Sequence, residues 1–324
     1  LDLQEFLSVY YHIQAEEKIT LDGRTGWKNN QYAYFTIYGS NMEMIRMEQA
    51  VLSYFLKEAY QQMAVPVSNI QGQLITAFEG EHYLVMEVAA VRTWETELTD
   101  GTLLAEFHQL GTMYQYEPKR ISSYGQWKDL WTQKLNLFEH KIQEEAQRST
   151  SAYYRLLMDV LPYIIGISEN AIQYLRESEA DQRYHEVDQG SLAFRRYHKQ
   201  LKSVVLWPEE LVYDHPARDI AERIRFMLIQ GEKKAKIYEF LQDYNSIRPL
   251  SVFSWRLIYA RLIFPIHLFD AMESGLQNEN AKEYDHNLEM LLKNQKLYEN
   301  RLGHFFQIAD VDNELLHIPV LHWL

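Results

Sequence analysis

The stretch Val204–Arg225, reading VVLWPEELVYDHPARDIAERIR, constrains this chain more than any other. Val204, Val205 and Leu206 read as a buried strand that breaks at Trp207-Pro208. Tyr213-Asp214-His215-Pro216 then signals a helix start, because the N–H that proline lacks has no partner in a first helical turn anyway. Ile220, Ile224, Met227 and Leu228 recur at helical spacing, and Glu222, Arg223 and Arg225 are expected to face water. Asp214 or His215 stands where it can cap the helix. Asp219 falls in the first turn, where a carboxylate meets unpaired N–H groups and the positive end of the helix dipole, and Arg218 can pair with a neighbouring acid.

The rest of the 324 residues must supply a core around this strand, loop and helix. A chain of that length makes one large domain or two lobes. Charged residues at 24% and a mean hydropathy of −0.39 describe a soluble globular protein. The most apolar window, Val252–Ala271, carries Arg256, Arg261, Pro265 and His267, so a buried helix is expected there and not a membrane span. A net charge of −13 argues against nucleic acid as a partner. The absence of cysteine removes disulfides, thiolate nucleophiles and sulfur-ligated zinc. The opening LDLQEFLSVYYHI holds acids and no basic segment, so no export signal is expected.

In chain order, Leu3, Phe6, Leu7, Tyr10 and Tyr11 predict a short amphipathic helix. Strands are expected over Glu17–Leu21 and Gln31–Tyr38, with DGRTGWKNN between them as a turn. Gly23 and Gly26 favour a hairpin over a phosphate-covering loop, since two glycines three apart are weak evidence for phosphate binding. A helix over Met42–Met63 would present Ile45, Val51, Leu52, Phe55 and Leu56 on one face. Strands over Gln73–Phe78 and His82–Val88 complete a five-stranded small lobe, and Val88, Ala89 and Ala90 form a hinge. Leu103, Leu104, Phe107, Leu110 and Met113 then predict a helix in which His108 is a hydrogen-bonded core residue. Further helices are expected over Gly125–Gln147, over Ser151–Glu177 with a kink at Pro162, over Glu232–Asp243, over Pro249–Ser274 and over Ala281–Gly303. Phe253, Trp255, Tyr259, Phe264 and Phe269 supply a core stripe. The acids of ADVDNELLH lack the spacing of a calcium loop, and no zinc or Ser/His/Asp pattern is present.

The loop Tyr213-x-x-Pro216-x-x-Asp219 and the string LLAEFHQLG resemble the aminoglycoside phosphotransferase and choline kinase superfamily. Within it, PEELVYDHPARDIAERIR is most similar to the CotS-related spore coat proteins of endospore-forming bacteria, in the YutH subgroup. The resemblance implies an α+β, bilobal kinase-like fold, with a small antiparallel-sheet lobe over residues 1–90 and a large helical lobe over 91–324. In catalytic relatives a strand ends Ile-Asp-Phe-Asp; here those positions are Leu206, Trp207, Pro208 and Glu209, so a tryptophan stands where magnesium needs a carboxylate. Of the catalytic loop His-Gly-Asp with a later Asn, His185 matches. Val187 takes the Asp position, Leu192 takes the Asn position, and Asp188 comes one residue late. The third strand holds Thr36, Ile37 and Tyr38 where a phosphate-binding lysine belongs, which leaves Glu48 a solvated residue. Glu209 follows Pro208 and is read as surface.

With four charge partners gone, no useful phosphoryl transfer is expected. The resemblance therefore implies a pseudokinase with no catalytic, cofactor-binding or metal-binding residues. It would be made in the mother cell and act in the spore coat through its surfaces, with other coat proteins as partners. Two alternatives stay open: a kinase that uses Asp188, Glu209 or Asp214 as displaced groups, and a ligand-binding module that keeps the interlobe cleft.

Overall fold

The computed structural model describes residues 2–89, 96–148, 152–277 and 281–322. Two compact units divide the chain: residues 1–98, 110–122 and 192–213 form the first, and residues 99–109, 123–191 and 214–324 form the second.

The first unit is built on an antiparallel sheet. Helix α1 (Leu3–Tyr11) is capped by Asp2, whose carboxylate accepts the Gln4 and Glu5 N–H groups. Strands β1 (Glu17–Leu21), β2 (Arg24–Lys28) and β3 (Tyr32–Tyr38) follow, then α2 (Glu43–Leu56), β4 (Val65–Val67), β5 (Ile75–Phe78) and β6 (Glu81–Ala89). The sheet order is β1-β2-β3-β6-β4, with β5 also on β6, so there are six strands where five were expected. Two of the six lie outside the four strand ranges read from the sequence: β2, which lies inside the stretch read as a turn, and the three-residue β4. Only Asp22 and Gly23 form the turn; both have positive φ, which suits the right-handed twist of a two-residue hairpin. Gly26 is a strand residue, and a Cβ there would lie 2.4 Å from the Tyr34 carbonyl oxygen. Of the expected hinge, Ala90 lies outside the described residues.

Alternation along β3 explains the two cores of this unit. Tyr34 joins Leu3, Phe6, Leu7 and Val85 on the face covered by α1. Ala33, Phe35 and Ile37 join Leu84, Met86 and Val88 on the other face, where Val205 and Trp207 complete the cluster. Helix α2 is shorter than expected and buries Gln49, Ala50, Leu52, Ser53 and Leu56, whereas Val51 is exposed. Strands β7 (Ser191–Phe194) and β8 (Leu211–Asp214) form a separate two-stranded sheet.

The second unit is helical: α3 (Asp100–Gly111), α4 (Trp127–Arg148), α5 (Ala152–Ala180), α6 (Ala217–Ile229), α7 (Lys234–Ile247), α8 (Val252–Ile263), α9 (Ile266–Gln277), α10 (Ala281–Gly303) and α11 (Phe305–Ala309). α3 stops before Met113, which is exposed. α5 runs through Pro162, whose ring lies on the exposed side. The single helix expected over Pro249–Ser274 is two, because Pro265 has no N–H to continue the ladder and Phe264 takes an extended backbone. Val252–Leu276 is long and apolar enough, by length and composition, to cross a membrane, and 89% of its most apolar 18-residue stretch is buried inside the protein. Nearly every residue of α8 is buried, which accounts for its apolar composition.

α6 departs most from its sequence reading. Glu222, Arg223 and Arg225 do not face water; all three are buried. The Glu222 carboxylate accepts from Arg225 at 2.8 Å and from Arg261 of α8 at 2.9 Å. Arg223 donates to Asp100 at 2.6 Å. A helix packed on several sides cannot keep charges out of the core, so it pairs them there. Breaking a buried network by removing one partner typically costs about 3–5 kcal/mol, since the remaining charges stay desolvated. Glu222→Ala, which strands two buried arginines, should lower stability by about that amount in a urea melt, against under about 0.5 kcal/mol for truncating an exposed acid such as Glu58.

Candidate functional site

The kinase-like loops place their ionisable groups in each unit separately. In the first unit, the strand expected over Val204–Leu206 is only a bridge between Leu206 and Met63. The hydrogen-bonded strand comes later, as β8, and it ends at Asp214. Pro208 opens a single 3₁₀ turn, 208–210, that separates the two.

Trp207 lies in the apolar cluster under β3 and β6 and is 3% exposed. Its ring meets Phe35 edge-on at 5.2 Å, and its Nε1–H donates to the Asp22 carboxylate at 3.0 Å. The Arg24 guanidinium lies 4.3 Å over the same ring and reaches Glu209 at 2.5 Å. Glu209 is therefore not a surface residue: the short turn folds it back against the β1–β2 hairpin. Gln49 of α2 ties this segment down by donating to the Glu209 carbonyl. Glu48, expected to be solvated, accepts the backbone N–H groups of Lys119, Arg120 and Ile121 and so holds that loop. The Tyr213 N–H donates to the Ile121 carbonyl at 3.0 Å.

In the second unit three aspartates from these loops are buried, and each has its oxygens filled. Asp188 is 3% exposed and belongs to the 3₁₀ turn 186–188, which His185 caps. Its carboxylate accepts from Ser251 Oγ at 2.7 Å, Ser254 Oγ at 2.6 Å, the His185 N–H at 2.7 Å and His215 Nε2 at 3.3 Å. Burial pushes its pKa up, but the hydrogen bonds from His215, Ser254 and Ser251 outweigh that and hold it below the usual carboxylate value. The displaced acid is thus not a solvated loop residue. Four donors converge on it because the turn, the α6 entry and the α8 cap all end there. Val187 contributes backbone groups: its carbonyl accepts from Arg248, and its N–H donates to His185 Nδ1. Leu192 sits fully buried on β7, and its side chain is apolar.

Asp214 accepts the Trp127 indole N–H at 2.9 Å and pairs with Arg218 at 2.6 Å. His215 stands just before the Pro216 N-cap of α6, and its Nδ1 accepts the Ala217 N–H at 3.0 Å, so its ring proton sits on Nε2, toward Asp188. Asp219 is fully buried and accepts from His108 Nε2 at 3.1 Å. Tyr244 O–H completes the chain by donating to His108 Nδ1 at 2.9 Å. Burial, with Arg248 and His215 nearby, holds His108 well below its ordinary pKa, so the ring is neutral and bridges tyrosine to aspartate. Among the described residues no group of three or more His, Cys, Asp or Glu side chains is arranged to hold a metal ion.

Comparison with known proteins decides the family. The family model described as "Spore coat putative kinase YutH" matches residues 4–305. This chain belongs to that family. It is similar to the endospore coat-associated protein YutH of Bacillus subtilis, with 31% identity over 284 residues that cover 84% of each chain. Its fold is that of aminoglycoside phosphotransferases, with an N-terminal antiparallel sheet and a mostly helical C-terminal part. The aminoglycoside phosphotransferase of Alicyclobacillus acidocaldarius aligns with a TM-score of 0.63 at 14% identity, covering 93% of this chain and 94% of that one. The amicoumacin kinase hAmiN aligns with a TM-score of 0.57 at 14% identity, covering 98% and 97%.

The sequence signal that could have exposed the role of Asp188 was Ser251 and Ser254, the cap and the first turn of an apolar helix, since a capping serine next to a buried turn implies an acceptor close by. Asp188→Ala would leave four donors without their acceptor and should cost about 2–4 kcal/mol in a urea melt. The neutral His108 sets a pH dependence. Its folded pKa lies below the ordinary 6.5, so the unfolded chain binds the proton first. That stability is whole above about 6.5 and falls as the pH drops below it. In His108→Asn the slope of unfolding free energy between pH 6.5 and 5 should flatten by up to about 1.4 kcal/mol per pH unit relative to wild type.

Proposed function

We propose that this protein is a catalytically degenerate kinase-fold protein of the spore coat, retained for its surfaces and acting in coat structure or assembly with other coat proteins. Family membership supports the setting. The observation that carries the loss of catalysis is Trp207, where relatives place a metal-binding aspartate. An indole buried against Phe35, tied to Asp22 and covered by Arg24, offers magnesium nothing and occupies the apolar face of the sheet. β3 brings no basic side chain to hold phosphate, and phosphoryl transfer rests on positioned charge.

One observation favours the enzyme reading: the strand that ends the degenerate segment stops at Asp214, so a carboxylate does stand at a strand end. Its oxygens are taken by the Trp127 indole N–H, by Arg218 and by the His215 N–H. A cation there would have to displace an ion pair buried in the protein. Asp188 is likewise filled, and its lowered pKa makes it a weaker base. Asp188 and Asp214 are therefore assigned structural roles, with His185, His215, Pro216, Arg218 and Asp219 holding the entry of α6.

A thermal-shift titration tests this reading. A ligand at about 100 times its dissociation constant stabilises its binder by about 2.7 kcal/mol. Magnesium-ATP is expected to leave the melting temperature where magnesium alone leaves it. A saturable rise that needs both components would overturn the proposal.

A further inference from the structure

Helix α2 of the sheet unit presents an apolar ridge to solvent. Its exposed residues are Met44, Met47, Val51 and Tyr54, at 62%, 37%, 49% and 39%. They recur at three- and four-residue spacing over the 14 residues of the helix, so they fall on one line along its outer side. A surface helix ordinarily puts polar side chains there. In α2 those turn away: Arg46 donates to the Tyr38 carbonyl and to Gln49, Gln49 donates to the Glu209 carbonyl, and Glu48 accepts the N–H groups of residues 119–121. The Tyr54 O–H is committed as well, to the Pro66 carbonyl at 2.6 Å. The apolar surface continues onto a loop of the same unit, where Tyr114 meets Phe55 edge-on at 5.3 Å and the exposed Tyr116 meets Tyr114 at 6.2 Å.

A contiguous apolar ridge of this kind marks an interaction site, and its spacing says what fits. Met44, Met47, Val51 and Tyr54 take the a, d, a and d positions of two heptads, the seam by which one helix packs on another. The charges beside the seam choose the partner. Glu43 and Lys57 stand at g positions at opposite ends of the helix. The Glu43 side chain is 37% exposed, and Lys57 has no ion partner among the described residues, its Nζ lying 5.6 Å over the Tyr54 ring. When two copies of α2 pack antiparallel, Met44 of one lies opposite Tyr54 of the other and Met47 opposite Val51, about a two-fold axis near Gln49. Each Glu43 then lies beside the other copy's Lys57. A parallel pair would set Glu43 beside Glu48 instead, acid against acid. In the antiparallel pair Glu48 faces its own copy, and both its oxygens are already held by backbone N–H groups.

We propose that α2 is the contact surface between two copies of this chain, packed antiparallel about a two-fold axis, with the ridge as its seam and a Glu43–Lys57 pair at each end. The proposal stands apart from the loss of catalysis, since the ridge holds none of the degenerate positions. A helix of 14 residues is about 21 Å long, and a pair of that length buries less than a permanent dimer does, so monomer and dimer exchange.

Sedimentation velocity of the full chain from about 1 to about 200 μM tests the proposal, and wild type is expected to pass from monomer to dimer within that range. Val51→Glu sets a charge in the middle of the seam and should weaken self-association by about tenfold or more. Val51 is exposed in the single chain, so the variant's urea melt at low concentration should match wild type. Glu43→Lys and Lys57→Glu each place like charges at both ends, and each alone should weaken self-association by about fivefold or more. An equimolar mixture of those two chains restores both opposite-charge pairs and should associate as wild type does. A wild-type chain that stays monomeric throughout the range leaves the ridge to a different protein and overturns the proposal. So would an unchanged dimer in Val51→Glu, or a mixture that associates no better than its components.

Discussion

Buried carboxylates have to be satisfied, and in this protein that requirement shapes the loops around the entry of α6. Asp188, Asp214 and Asp219 are each nearly inaccessible, and each is held by donors from elements far apart in sequence: Ser251, Ser254 and His215 for the first, Trp127 and Arg218 for the second, His108 for the third. Each carboxylate so held is a junction between helices. α3, α6, α7 and α8 meet through these three groups, with Tyr244 and His215 as intermediaries. The packing of the helical unit follows from that polar chain as much as from its apolar stripes.

The same economy governs the sheet unit. A tryptophan in the segment after β7 packs on Phe35, while Asp22 and Arg24 of the first hairpin close over it. Arg24, sandwiched between that indole and Glu209, has its charge used within the unit.

Much of this was legible in the residues. The helix after Pro216, the acceptor role of His215 at its start, the pairing of Arg218 and the core placement of His108 all follow from local rules of helix starts and buried polar groups, and each has its counterpart in the structure. What local rules miss is long-range pairing. Glu222 and Arg225 look solvent-facing on a helical wheel, yet Arg261, some forty residues on, draws Glu222 into the core. Glu48 looked idle until the loop at 119–121 turned its N–H groups toward it. Asp188 looked solvated because Ser251 and Ser254 lie more than sixty residues away. In the hairpin, Gly26 read as turn chemistry, whereas the close approach of Tyr34 is what demands a glycine there.

The central claim is that Asp188 is a structural acceptor and not a catalytic or metal-binding group. Its carboxyl carbon, observed by ¹³C NMR in selectively labelled protein and titrated with acid in the presence and absence of magnesium, tests that claim most directly. The expected result is a carboxyl that titrates below the usual range, in keeping with its hydrogen bonds, along a curve that magnesium leaves unmoved. A titration at or above the ordinary carboxylate value, or a magnesium-dependent shift of that resonance, would contradict it.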